Sequence, residues 1–256
     1  MATGSRARRD RTDAPATPAG DGPAYVAELI GTFTLVFFIV CAISVTVELQ
    51  QADFVVIGLV HAFVLMLLIH SLGGVSGAHF NPAVTIALLV ARKIAPPQAM
   101  VYVAAQVVGA VLATLLARAL FTDEGGAISY GATLVNEASF LDGGAIGGLV
   151  VEFIGTFFLM WAIMAMAVNP RSEKDWAGLV IGTTLGFGVM AFGPVTGAGF
   201  NPARSFGPAL VSGEFADFWI YVIGPVLGAI AAAVLYTLVV LIPLDRVGER
   251  PVDKLD

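Results

Sequence analysis

Apolar residues run through this chain in blocks far longer than one face of a soluble helix or strand requires. Five blocks, Ala24 to Val47, Phe54 to Leu72, Gln98 to Leu120, Gly144 to Val168 and Phe218 to Ile242, are each long enough to cross about 30 Å of hydrocarbon as an α-helix. A sixth, Trp176 to Gly193, is shorter but uninterrupted. None alternates in the ten-residue segments of a barrel strand, and in lipid every backbone amide must be bonded within its own segment, so all six are predicted to be helices. Two further apolar runs, Val84 to Ala91 and Arg204 to Val211, are too brief to cross. About ten residues at about 1.5 Å each reach about 15 Å, half the hydrocarbon thickness.

The pattern occurs twice. Ala27-Glu28-Leu29-Ile30-Gly31-Thr32-Phe33 returns as Val151-Glu152-Phe153-Ile154-Gly155-Thr156-Phe157, and Ser76-Gly77-Ala78-His79-Phe80-Asn81-Pro82-Ala83 returns as Thr196-Gly197-Ala198-Gly199-Phe200-Asn201-Pro202-Ala203. Each copy carries three full spans, an odd number, so the second copy enters the membrane from the opposite side and the repeats are inverted. The expected organisation is a tail over 1–22, a membrane domain over 23–244 and a tail over 245–256. Within the domain, repeat one occupies 23–120, an outer linker 121–143 and repeat two 144–244.

Composition supports this division: 57% of residues are apolar and 12% charged, too little polar surface to cover a soluble globule. The thirteen Lys and Arg are unevenly placed. Arg92, Lys93, Arg171, Lys174, Arg246, Arg250 and Lys254 fall on one side, and the loops at Glu48 to Asp53 and Phe121 to Gly143 carry none. Both termini are therefore expected in the cytoplasm. Arg6, Arg8, Arg9 and Arg11 lie in a disordered-type tail and read as part of that topology signal, not as a nucleic-acid arm. A single cysteine, Cys41, excludes an internal disulfide. Abundant alanine and a plain basic tail point to a bacterial plasma membrane.

Asn is a favoured N-cap and Pro a favoured first helical residue, so Asn-Pro-Ala is good chemistry for starting each short helix. Entering from opposite faces, the two would meet near the midplane and aim two N-termini, each about half a positive charge, at one spot. Cations and protons are repelled there. Asn81 and Asn201 would donate N–H to a passing water oxygen and break a continuous proton wire. Carbonyls of Gly77, Ala78 and His79, and of Gly197, Ala198 and Gly199, would line the path, since irregular backbone at this depth is tolerated only beside a wet cavity.

The paired Ser-Gly-Ala-His-Phe-Asn-Pro-Ala-Val-Thr and Thr-Gly-Ala-Gly-Phe-Asn-Pro-Ala-Arg-Ser segments, with the repeated Glu-containing starts, resemble the aquaporin (major intrinsic protein) family over roughly 25–244. That resemblance implies an all-α membrane fold of six tilted helices plus two re-entrant half-helices. It also implies four subunits with one pore each, in a passive channel for water and small neutral solutes. Glu28 and Glu152 match buried carboxylates that hold the re-entrant loops. Pro82, Ala83, Pro202 and Ala203 belong to the two pore motifs, and no metal, cofactor or nucleic acid is implied.

The family's narrow outer constriction, carried over by spacing from the two asparagines, falls on His61, Val189, Ala198 and Arg204. Strict water channels resemble Phe, His, a small residue or Cys, and Arg at these places. The pattern here is similar to tonoplast-type plant aquaporins and to the ammonia- and peroxide-permeable animal branch. Water permeation with passage of ammonia, hydrogen peroxide or urea is therefore expected. Glycerol facilitators carry Asp after the arginine, where this chain has Ser205, and Val222 stands where Trp is more usual.

Alternative readings are a glycerol-type facilitator and a proton-coupled transporter using Glu28 or Glu152. An intramembrane enzyme is poorly supported by three histidines, one cysteine and no His-Glu-x-x-His pattern. His70, near the inner end of the second span, reads as interfacial, and Cys41 as packing. The pairs Gly144/Gly148, Gly182/Gly186 and Gly224/Gly228 are expected to permit close helix crossing.

Overall fold

A computed structural model describes residues 21–48, 53–136 and 144–248. Most of the two expected tails, including Arg6, Arg8, Arg9, Arg11, Arg250 and Lys254, lies outside the described residues. Within them the chain is helical throughout: α1 (Gly22–Glu48), α2 (Phe54–Ser76), α3 (Pro82–Val90), α4 (Pro96–Leu120), α5 (Thr122–Ala127), α6 (Gly144–Ile163), α7 (Ala177–Thr196), α8 (Pro202–Ser212), α9 (Ile220–Tyr236) and α10 (Ile242–Gly248). Six segments are long and apolar enough to cross a membrane, over Gly22–Thr46, Phe54–Ser76, Pro96–Leu120, Gly144–Val168, Lys174–Thr196 and Ile220–Asp245. The span read from sequence as Trp176 to Gly193 is thus full length. It continues through Pro194 to Thr196 because Gly197, in a left-handed conformation (φ 73°), returns its N–H to Gly193 O and closes the helix there.

The inverted repeat is visible in the packing. α1 lies along α4 as α6 lies along α9, and α2 and α7 pair between the two halves. Small residues allow these crossings. A Cβ at Gly109 would lie 2.5 Å from Leu29 O, and the corresponding Gly228 sits against Phe153 O. Gly182 rests on Ala62 O, Gly186 on Gly58 O and Gly224 on Glu152 and Leu149, so these residues serve close crossings. The Gly144/Gly148 pair does not. Gly148 faces the Val135 side chain of the linker, and among the described residues nothing lies within 4 Å of a Cβ built at Gly144. Many large apolar side chains point outward, Met100 at 68% exposure and Ile146 at 63% among them, as hydrocarbon as solvent permits.

Two departures from regular helix bear on the site. The linker read as a plain connection contains α5 and a tight turn over Ser129–Gly131. At the inner end of α6 the chain widens into a π-helical turn, Met164–Val168, closed by Asn169 N–H donating to Met164 O five residues back at 2.9 Å. A second wide turn, Thr237–Leu241, follows α9.

Candidate functional site

The two short helices meet tip to tip. Pro82 and Pro202 open them, and the asparagine before each caps it: Asn81 Oδ1 accepts from Ala83 N (2.9 Å), and Asn201 Oδ1 accepts from Ala203 N (3.0 Å) and Arg204 N (3.2 Å). Each side-chain amide then reaches across the junction. Asn81 Nδ2 donates to Phe200 O and Asn201 Nδ2 to Phe80 O, both at 2.8 Å. An amide nitrogen has two hydrogens, so one on each asparagine remains for another acceptor.

The preceding loops are held in a strained path. Ala78 and Phe80 have φ of 53° and 48°, and Ala198 and Phe200 have 47° and 50°. Each such non-glycine residue costs about 1–2 kcal/mol. The compensation comes from the two buried glutamates. Glu28 Oε1 accepts from Ser76 Oγ (2.6 Å) and His79 N (3.0 Å), and its Oε2 from Phe80 N (2.7 Å) and Gln106 Nε2 (2.7 Å). Glu152 Oε1 accepts from Thr196 Oγ1 (2.7 Å) and Gly199 N (2.9 Å), and its Oε2 from Phe200 N (2.7 Å). Hydrogen bonds to a charged acceptor contribute about 1.5–3 kcal/mol each, enough to offset the strain. Tyr102 and Tyr221 hydroxyls brace the same loops by donating to Ser76 O and Thr196 O, each at 2.8 Å. The Phe80 and Phe200 rings lie on Gly31 and Gly155, where any Cβ would collide with them. The N–H groups of His79, Phe80, Gly199 and Phe200 are thereby committed to the glutamates.

A narrow cavity of about 50 Å³ runs past this junction. A water needs roughly 10–15 Å³ of such space, so the cavity has room for more than one. Its apolar walls come as pairs related by the repeat: Leu35 with Leu159, Ile39 with Ile163 and Leu65 with Leu185. Gly77, Ala78, His79, Gly199, Asn81, Asn201, His61 and Arg204 also border it. Val189 and Ala198, each 1% exposed, do not, and neither does Gly197, which packs on Thr133. Pro82, Ala83, Pro202 and Ala203 are buried in the helix starts. On the inner side the path opens into a cavity of about 300 Å³ bordered by His79, Val84, Leu88, Lys93, Ala167 and Val168.

His61 and Arg204, each 2% exposed, supply the outer polarity. His61 Nδ1 contacts Ile57 O at 2.8 Å, and a carbonyl only accepts, so Nδ1 carries the proton. His61 Nε2 is buried without a protein partner. Arg204 Nη1 donates to Gly131 O at 2.8 Å, and its Nε is unpartnered. Gly131 is placed by a run of left-handed residues, Ser129, Tyr130 and Gly131 (φ 51°, 52° and 72°), packed under Gly125 by the Tyr130 ring. A buried acceptor and a buried donor therefore border one path, together with a permanent positive charge.

Gln106, Thr85 and Gly131 carry no site role in the sequence reading, and Lys93 enters it only as a topology charge. Gln106 donates to both Glu28 Oε2 and Thr85 Oγ1 (3.0 Å), and Thr85 Oγ1 also meets His79 Nδ1 (3.1 Å). A glutamine in the middle of an apolar span was the available signal. His70 is exposed against Gly178, and Cys41 is half-buried in α1.

Comparison with known proteins agrees with this geometry. The family model described as "Major intrinsic protein" matches residues 21–236. Nodulin-26 of Glycine max is 43% identical over 216 residues, covering 84% of this chain and 76% of that protein. Aquaporin NIP1-1 of Zea mays is 40% identical over 215 residues, covering 84% and 73%. "Glycerol uptake facilitator protein-like 6" of Lactiplantibacillus plantarum is 37% identical over 211 residues, covering 82% and 94%. The X-ray structure of the aquaglyceroporin from Plasmodium falciparum superposes with a TM-score of 0.71 at 21% identity, covering 88% of this chain and 99% of that one, a likeness of fold. None of these relatives is named as a tonoplast aquaporin, so that likeness rests on the four constriction residues alone.

Proposed function

The chain belongs to the major intrinsic protein family, a family of membrane channels and not of enzymes, and on that premise we propose that it passes water and small neutral solutes such as ammonia, hydrogen peroxide and urea while excluding protons and ions. The observation that carries this reading is the reciprocal Asn81 and Asn201 contact beside a narrow cavity. One N–H of each asparagine holds the opposite loop, and the other is free for a water oxygen. A water so held turns its hydrogens away from the junction, which interrupts proton hopping, and two helix N-termini at the same place oppose cations. His61 Nε2 as acceptor and Arg204 as donor replace hydration lost at the outer constriction. Val189 and Ala198 are buried off the cavity and add no polar group beside that constriction.

In the same reading His61 and Arg204 form the polar side of the filter, with Val189 and Ala198 packed behind it, and Gly77, Ala78, His79 and Gly199 supply carbonyls. Four such chains assemble, each with its own pore, and both termini face the cytoplasm of a bacterial plasma membrane. A second reading, a glycerol-type facilitator, is favoured by the glycerol-facilitator-like relative, whose length the match covers almost completely. Proteoliposomes separate the two. Under an osmotic step the protein should speed shrinkage without any ion gradient, and under inward solute gradients ammonia, peroxide and urea should enter faster than glycerol. Shrinkage at the rate of empty liposomes would sink the channel reading. Glycerol entering as fast as urea would favour the facilitator.

A further inference from the structure

We infer that Tyr130 is a positioning residue for selectivity: its ring pins the outer linker so that the Gly131 carbonyl holds the Arg204 guanidinium where it borders the path. Arginine is long and has several rotatable bonds, so the place of its charge depends on what catches its head. Among the described residues that head makes one hydrogen bond, from Nη1 to Gly131 O at 2.8 Å, while Nε has no partner. One carbonyl therefore decides where a bulky cation stands in the outer constriction.

The turn that presents this carbonyl does not hold itself. It closes on two backbone bonds, Gly131 N–H to Ile128 O (2.9 Å) and Ala132 N–H to Ser129 O (3.0 Å). Against them stand Ser129 and Tyr130, both left-handed (φ 51° and 52°). That conformation is costly for any residue with a Cβ and persists only where surrounding contacts impose it. Tyr130 makes those contacts. It is 7% exposed and lies in an apolar cluster with Val36 and Val40 of α1, Ala113 and Ala117 of α4, and Ala203 of α8. Ala203 directly precedes Arg204, so the ring beside the carbonyl and the helix that carries the arginine rest on one core. Gly125 of α5 lies flat on the ring, where a Cβ would stand 2.6 Å from it. The Arg118 guanidinium lies over the same ring, its carbon 5.9 Å from the centroid. The Tyr130 hydroxyl adds little, since its contact to Thr122 O is 3.4 Å long. Packing of the ring, not its polar tip, carries the role.

This inference rests on the channel reading, and its test keeps the two apart. Urea uptake and osmotic water flux are measured in proteoliposomes for wild type, Tyr130→Gly, Tyr130→Phe, Gly125→Ala, and Arg204→Val with and without Tyr130→Gly. The readout is the ratio of urea to water permeability, in which the amount of folded protein cancels. Tyr130→Gly removes the ring and at the same time relieves a left-handed residue, so it loosens the turn without adding strain. The ratio should rise about threefold, short of what losing the guanidinium gives. Gly125→Ala keeps every atom of Tyr130 and displaces its ring, so the ratio should rise about twofold. Tyr130→Phe should keep the wild-type ratio. In Arg204→Val the ratio should be the same with and without Tyr130→Gly, because a residue that acts through the arginine has nothing left to act on. An unchanged ratio in Tyr130→Gly or, where that protein does not fold, in Gly125→Ala overturns the inference. So does a further rise when Tyr130→Gly joins Arg204→Val, since the linker would then be opening the mouth by itself. Wild-type protein that shrinks no faster than empty liposomes overturns the channel reading instead.

Discussion

The two re-entrant loops share left-handed backbone at matching residues and are unlike in chemistry. Both carry the same left-handed pair of residues, the same reciprocal asparagine contact, the same glutamate anchor and the same tyrosine brace. Around that shared frame the first half places His79, Val84, Thr85 and Gln106, and the second places Gly199, Arg204, Ser205 and Pro225 at the corresponding points. The inner side therefore borders the path with Val84 and His79 and keeps Thr85 and Gln106 in a hydrogen-bonded cluster with Glu28. The outer side puts a buried cation and an imidazole on the path itself. Symmetry builds the scaffold, and its local violations make the two sides chemically unlike.

The scaffold half of that comparison is broken most severely at the glutamates. Replacing Glu28 or Glu152 with Gln turns one acceptor oxygen into a donor that faces another donor, and each leaves at least one buried loop N–H unpaired. An unsatisfied buried group costs about 1–3 kcal/mol, and the left-handed residues lose their compensation as well. Glu28→Gln and Glu152→Gln should each lower stability by about 3 kcal/mol, with matching losses of osmotic flux. Thermal unfolding in detergent alongside proteoliposome shrinkage checks this. Clearly unequal losses would mean that the two loops are not energetically equivalent despite their common backbone.

The filter half is tested by making the outer side a copy of the inner. Arg204→Val installs the side chain of Val84, and His61→Ile that of Ile181, its repeat counterpart on the opposite wall. Removing the guanidinium takes away a fixed charge and a bulky wall, so urea and glycerol uptake should rise about tenfold, a barrier change of about 1.4 kcal/mol. His61→Ile removes the acceptor at Nε2 and leaves a passing water less hydrated, so water flux should fall about threefold while the Arg204-dependent exclusion of ions persists. Solute and conductance measurements on the two variants decide the matter. An unchanged ranking of solutes in Arg204→Val would place selectivity elsewhere on the path.

Sequence disclosed the scaffold more fully than the filter's support. The two Asn-Pro-Ala segments announce themselves because a capping asparagine and a first-turn proline have a local signature, and Glu28 and Glu152 stand out as charges in apolar runs. Val189 and Ala198 could be chosen only by likeness to a family, since nothing local distinguishes them from neighbouring core residues. The partner of Arg204 was illegible for a different reason. Gly131 O is a backbone atom in a linker, placed by three successive left-handed residues that no hydrophobic pattern encodes. The wide turn at Met164–Val168 was hidden inside an apolar run whose composition is the same for either helix type.

The smallest expected effect concerns the one anchor the halves do not share. Gln106 gives Glu28 a fourth donor and ties it to Thr85, whereas the second half has Pro225 at that place and Glu152 manages with three donors. Gln106 Oε1 is itself buried without a partner, so the residue carries a cost along with its two bonds. Gln106→Leu removes the bonds and the orphan together, which makes the net loss only about 1 kcal/mol. Flux and solute ranking should stay at wild-type values, because Glu28 keeps both loop N–H groups of His79 and Phe80. A much larger loss of stability, or a change in permeability, would show that the first loop depends on its extra anchor. The proline-bearing second loop would then stand by other means, and the shared frame would be narrower than the backbone suggests.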